Sequence, residues 1–402
     1  MNKTLKWIVG IVGGLVGLLV IVVVVLGLLP IPADVPPKPL PGYTGAPDGV
    51  PTTAPVESNR TLTVNAGELI QDAIDQAKPG DVVEVMPGTY HESLTVSIHN
   101  LTLRGLADAN GQWPILDGES QFDNGVFVTG SFFTIEQFQI RNYNENGVIN
   151  QGGYGPVYRD LIIDNPGEYA VFPIASTNVL VERVKASGAT DAALYVGQSR
   201  DIVVRDSEAF NNVTGIEIEN SVNALVENNY VHDNTGGILV FLLPHLTAKD
   251  GHGTVVKNNR VENNNTPNFA TGGVVQNVPA GTGILIMAAD GTEVTGNIIS
   301  GNNSAGIGVV ASSIIFDDVS DFDIPLVPEQ TWVHDNTYSN NGNDPAPLLA
   351  DLGLPGVDVL WDASGWDNRF DDSGIKAFPI LPSSAWPDVA KKALWQVLQK
   401  LK

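Results

Sequence analysis

Residues 192–241 read AALYVGQSRDIVVRDSEAFNNVTGIEIENSVNALVENNYVHDNTGGILVF, and this stretch decides the fold. Three apolar phrases, AALYVG (192–197), TGIEIE (214–219) and GGILVF (236–241), recur every 22 residues. Each of the first two is followed by a second short strand, DIVVRD (201–206) or NALVEN (223–228), and then by a turn rich in asparagine. Apolar side chains alternate along the phrases with period two, the signature of a strand with one buried face.

The ladder continues on both sides. Upstream stand Gly125-VFVTGS, Gly147-VINQGG and Ala170-VFPIAS, and downstream Gly283-ILIMAA and Gly306-IGVVAS. Superimposed, these put Val126, Val148, Val171, Leu194, Ile216, Ile238, Ile284 and Ile307 in one interior column. Val128, Val196, Ile218, Val240, Ile286 and Val309 make most of a second. One coil cannot bury its own apolar face, whereas coils stacked about 4.8 Å apart cover one another. A β-sandwich of short strands would need no fixed period. The sequence therefore predicts an all-β fold, a single-stranded right-handed parallel β-helix over residues 63–345.

A terminal coil is an unpaired edge and needs cover. Residues 67–78 (GELIQDAIDQAK) predict an amphipathic helix over the first coil. Residues 387–402 (PDVAKKALWQVLQKLK) predict a basic amphipathic helix docked on the domain, within a C-terminal tail at 346–402.

Residues 8–29 are uncharged and apolar, long enough at about 1.5 Å per residue to span a hydrocarbon core of about 30 Å. A cleaved signal peptide has a shorter apolar region, so residues 1–30 predict a transmembrane anchor. Lys3 and Lys6 precede it, which keeps the N-terminus cytoplasmic and exports the remainder, a single-pass cell-membrane topology. Residues 31–62 are dense in proline and predict an extended linker. The chain carries 45 acidic against 21 basic side chains, a formal charge of −24, with no basic patch, and this excludes nucleic acid as a partner. There is no cysteine, so disulfides, thiolate metal sites, haem attachment and a lipidated cysteine are excluded.

Several blocks together resemble the exported parallel β-helix repeat-containing proteins: AALYVGQS (192–199), GIEIENS (215–221), NTGGILVF (234–241), TPNFA (266–270), VPAGTG (278–283) and VDVLWD (357–362). The resemblance covers roughly residues 65–370. It implies the fold and export, but no activity. It also implies a cytochrome-c-like exported protein as partner, since the family's genes tend to neighbour or fuse with one. The chain departs from that family in having an apolar anchor with no lipobox cysteine, and in reading LLP at 242–244 without a preceding acid. More distantly, a helix followed by PGDVVEVMPGTY (79–90) resembles the entry to pectin-lyase-like β-helices, many of which process polysaccharides.

The outward columns of the ladder are apolar and aromatic except on one coil, where Glu217 and Glu219 stand at i and i+2. They face the same way, about 6–7 Å apart, a spacing that suits an acid and a base acting through water, or a shared cation. Glu217 and Glu219 are the candidate catalytic residues, directed to solvent. Tyr195, Gln198, Asn220 and Phe241 are the candidate substrate-binding residues, by stacking or by hydrogen bonds to hydroxyls. The simpler alternative pairs the glutamates with lysine or arginine of a covering loop. Insertions at about 243–253, 263–282 and 312–331 supply such cover, as a wall or lid.

Other motifs weigh less. Asp250-Gly-His252-Gly resembles the GHG of polygalacturonase-type hydrolases, but their paired-aspartate motif is missing, and His252 falls in an insertion. His232 and His334 sit in one repeated phrase, VHDNT, and read as turn residues, as do Asn228, Asn229, Asn258, Asn259, Asn297, Asn302 and Asn336. Asp317, Asp318, Asp321 and Asp323 offer oxygen ligands for Ca2+, although a solvated acidic loop is the simpler reading. No cofactor is evident, and the metal question stays open.

Two functions fit these residues. One is binding or processing of a cell-surface polysaccharide at Glu217 and Glu219, with hydrolysis or plain binding favoured over β-elimination of uronans. The other is a non-catalytic module whose apolar stripe (Phe127, Phe172, Leu239, Phe241, Leu285, Met287) docks a basic exported partner such as the cytochrome-c-like protein.

Overall fold

The computed structural model describes residues 20–30 and 53–400. Its strands stack in parallel register as a right-handed β-helix. Val126 lies opposite Val148, Val148 opposite Val171, Val171 opposite Leu194 and Leu194 opposite Ile216. Ile216, Ile238, Ile284 and Ile307 continue the column, which ends on Val359. Every one of these side chains is fully buried. The second column is broken at Asn150, paired with Val128, where the coil offers no apolar residue.

The corners are held by two asparagine ladders. Asn229, Asn259 and Asn297 each pass a side-chain N–H to the carboxamide oxygen of the next, ending at Asn336, at 2.9–3.0 Å, and Asn336 passes its own to Asp372 at 3.0 Å. Asn212, Asn234, Asn264, Asn302 and Asn341 form the second ladder, at 2.9–3.3 Å. Such bonds satisfy buried polar groups that the tight turns would otherwise leave unpaired. Asn228 and Asn258, expected in the stack, stand beside it in the left-handed region at φ 57° and 54°. His232 and His334, expected in turns, instead close the strands Tyr230–His232 and Trp332–His334: each bonds the next aspartate and stacks on the aromatic residue two before it, Tyr230 or Trp332.

Both caps are present. A helix at Ile70–Gln76, shorter than the 67–78 expected, buries Ile70 and Ile74 over the first coil. Glu92 of the following coil accepts its leading N–H groups, from Ile70 at 2.8 Å and Gln71 at 3.1 Å. This satisfies donors that a helix start leaves orphaned. At the other end the helix Asp388–Gln399 brings Trp395 and Leu398 against the core, and Lys391 pairs with Asp367 at 3.3 Å.

The coils run past the expected boundary at 345. Val357–Trp361 pairs with Ala305–Val310, Ala377–Phe378 adds to that same face, and Arg369–Phe370 pairs with Trp332–His334, so the coils continue into the C-terminal tail. Residues 340–356 interrupt the period with a short helix, Pro347–Asp351, which hides the later coils from a reading of the repeat. The anchor expected over 8–29 and the linker expected over 31–62 lie for the most part outside the described residues. Among the described residues no helix is long and apolar enough to cross a membrane.

Candidate active site

Glu217 and Glu219 lie on the strand Thr214–Glu219, where Ile216 and Ile218 take the interior positions. Period two therefore turns both glutamates out of the coil. They do not reach solvent, as the sequence had suggested. Glu217 is 1% exposed and Glu219 7%, because the insertions fold down over them. Leu243, Gly273, Val274, Val275, Val278 and Ile315 roof a cavity of about 240 Å³. Its floor is Tyr169, Asp191, Glu217, Glu219, Leu239, Phe241, Leu285 and Met287.

The outward stripe is thus a second hydrophobic core under the roof. Leu239, Phe241, Leu285 and Met287 are 2–7% exposed, and with Val275, Val278 and Ile324 they form one buried cluster. These four residues of the expected docking stripe are covered, whereas Phe127 and Phe172 are half-buried.

Gln198 and Asn220 have a different task from the hydroxyl binding expected of them. Gln198 Oε1 accepts the backbone N–H groups of Thr247 and Ala248, at 2.9 and 3.1 Å. Asn220 donates to the carbonyls of Leu243 and Ala248, at 2.9 and 2.7 Å, and accepts from the Leu243 N–H at 2.7 Å. Both amides are consumed in pinning the first insertion to the coil. The third insertion is tied to the first by Asp323, which pairs with Lys249 at 2.6 Å and accepts the His245 N–H at 2.9 Å. Of the aspartate cluster, Asp323 therefore serves loop docking. Among the described residues no group of three or more His, Asp or Glu is placed to hold a metal ion.

Tyr195 donates to Glu219 Oε1 at 2.8 Å. Its ring lies across Gly197, where a Cβ would stand 1.9 Å from the tyrosine oxygen, so glycine at 197 is what lets Tyr195 reach the next coil. Thr214 donates to Glu217 at 2.7 Å, and Tyr169 to Asp191 at 2.7 Å. Asp191, just ahead of the strand Ala192–Gly197, is the site residue that sequence reading missed. An aspartate beside a turn carries no signal of its own in a chain with so many of them.

Elsewhere in the fold five buried acids meet arginine: Asp81 with Arg60, Asp117 with Arg141, Glu136 with Arg104 and Arg159, Glu182 with Arg205, and Glu262 with Arg260. Among the described residues Glu217, Glu219 and Asp191 have no basic partner, so the covering-loop ion pair considered above does not form. Burial consequently favours their protonated forms. It pushes Asp191 up to about 6, the Tyr169 hydroxyl pulling the other way and Glu168 adding to the rise. Burial likewise lifts Glu219 to about 7, opposed by the Tyr195 hydrogen bond and helped by Asp191. Glu217 is driven well above the usual carboxylate range, by burial first and then by the charge of Asp191. Enclosed together, the three carboxyl groups thus resist ionising at the same time.

His252, set apart as an insertion residue, makes isolated parallel bridges with Val222 and Asp290 and so follows the ladder's register. It is exposed, bonds Asp250 at 2.9 Å, and does not line the cavity.

Residues 124–266 match the family described as right handed beta helix region. No curated protein sequence matches the chain. Among solved structures, an alginate lyase from Paenibacillus sp. str. FPU-7 is 17% identical, with TM-score 0.50, covering 70% of this chain and 96% of that one. The A-module of mannuronan C-5 epimerase AlgE6 from Azotobacter vinelandii is 16% identical, with TM-score 0.51, covering 80% of this chain and 86% of that one. At that identity the likeness is one of fold. The chain is a right-handed parallel β-helix, similar in architecture to β-helix enzymes that process polysaccharides.

Proposed function

We propose that the cavity binds one unit of a glycan that lacks acidic groups, and that its carboxyl groups equip it for hydrolysis. The observation that carries this reading is the trio Asp191, Glu217 and Glu219, gathered on one cavity floor with no cation among the described lining residues. β-Elimination from a uronan, or its epimerisation, needs the substrate carboxylate neutralised, and no lysine, arginine or histidine lines this cavity to do so. The chain's charge of −24 opposes a polyanion as well. The size supports one sugar ring in place of a polymer laid along an open groove.

In this reading Glu217, held protonated, donates its proton to the glycosidic oxygen as the bond to the anomeric carbon breaks. Asp191, the readiest of the three to ionise, takes a proton from the water that attacks that carbon, so one water is added across the bond. Glu219, set by Tyr195, adjusts the charge between them. Tyr169 and Phe241 offer ring faces to the sugar. The site would stand outside a membrane to which residues 8–29 tether it, a placement supported by the uncharged run and its preceding lysines.

The test is incubation of the full-length chain with panels of neutral, amine-bearing and uronate oligosaccharides. New reducing ends without unsaturated uronate, abolished by Glu217→Gln, are expected. Unsaturated products, or undiminished cleavage by that variant, would overturn the assignment.

A further inference from the structure

The three carboxyl groups leave acceptors unused. Asp191 Oδ1 is buried without a hydrogen-bond partner. Glu217, 1% exposed, accepts only the Thr214 hydroxyl. Around them stand aromatic rings: Tyr169 stacked on Phe172 at 4.3 Å, Tyr195 edge-on to Phe172 at 4.6 Å, and Phe241 on the next coil. Among the described residues every other buried acid is met by arginine or by N–H donors, as Asp358 is by Asn341 and the Lys376 N–H. What the cavity lacks is one cationic donor.

We propose that the glycan unit taken by this cavity carries a protonated amine, as in a hexosamine with a free amino group, and that its ammonium seats among Asp191, Glu217 and Glu219. This rests on the glycan reading of the same cavity. An ammonium has three N–H donors and no acceptor, which matches three carboxyl groups. Ring faces beside it add attraction to the cation. An N-acetyl group would bring a carbonyl and an uncharged N–H to the same place and leave the acids uncompensated.

Seating the cation displaces protons. The groups facing the trio are Tyr169, Tyr195 and Thr214, with Glu168 acting on Asp191 from nearby. Burial keeps both tyrosines neutral, so the protons released come from the carboxyl groups. Affinity therefore rises with pH while Asp191 and Glu219 ionise, then falls as the amine itself deprotonates.

Calorimetric titration of the full-length chain with four probes tests this: a glucosamine tetramer, an N-acetylglucosamine tetramer, a glucose tetramer and putrescine. The glucosamine tetramer should bind at least about tenfold tighter than the other two oligosaccharides. Its binding enthalpy should vary with the ionisation enthalpy of the buffer, which reports proton release. Glu219→Gln, which keeps the oxygen that accepts from Tyr195, should weaken binding about tenfold. Equal binding of all three oligosaccharides overturns the ammonium seat and leaves the glycan reading intact. Binding of putrescine with no oligosaccharide overturns the glycan reading and supports the seat. Binding of none overturns both.

Discussion

Replacing Glu219 by glutamine should make the protein more stable, and increasingly so as pH rises. Burial raises this carboxyl from 4.5 to about 7, so the folded chain holds a proton that the unfolded chain has already lost. A group that binds protons more tightly when folded contributes its full stability below the unfolded value and loses it as pH climbs through the folded one. The window is therefore pH 4.5 to 7. At about 1.36 kcal/mol per pH unit, that interval amounts to about 3 kcal/mol. The group is almost wholly enclosed, so solvent screening removes little of it. Glutamine keeps an oxygen for the Tyr195 hydroxyl and carries no charge to desolvate. Urea unfolding of both proteins at a series of pH values measures the difference. It should be near zero at pH 4.5 and should grow to a plateau of about 3 kcal/mol in favour of the variant above pH 7. A difference independent of pH, or a wild type more stable at pH 8, would mean that something in the resting protein already neutralises the carboxylate. That result would refute the reasoning on which the cavity's chemistry stands.

Gly197→Ala places a methyl where the Tyr195 oxygen lies, so it should push Tyr195 off Glu219; loss of glycan binding with a largely intact circular dichroism spectrum is expected. Ile216→Ala, mid-column and fully buried, should cost about 2–5 kcal/mol in denaturant unfolding, whereas Ile298→Ala, 50% exposed, should cost far less. Asn264→Ala breaks the inner ladder between Asn234 and Asn302 and should destabilise by about 1–3 kcal/mol, whereas Asn258→Gly, at φ 54°, should be near neutral in the same assay.

The coil period, the interior columns and both caps were legible in the residues because each depends on local rules: alternation along a strand, repetition at one spacing, and an edge that needs cover. Val126 to Ile307 could be aligned by eye and prove to be stacked. The choice of Glu217 and Glu219 was also local, since they break an apolar face. Their environment was not. Whether an outward carboxylate meets water, arginine or an apolar roof depends on where three insertions settle. Nothing in the period of the coils states where that is. The same uncertainty hid the true work of Gln198 and Asn220, whose amides look free until Leu243, Thr247 and Ala248 arrive to use them. Asp191 joined the site only when its coil stacked beneath Glu217. Repetition in a chain is enough to specify a solenoid, because each coil repeats its neighbour's problem and its solution. Burial of an acid, and hence its acidity, is a property of the space around it, and that space is assembled from segments far apart in the chain.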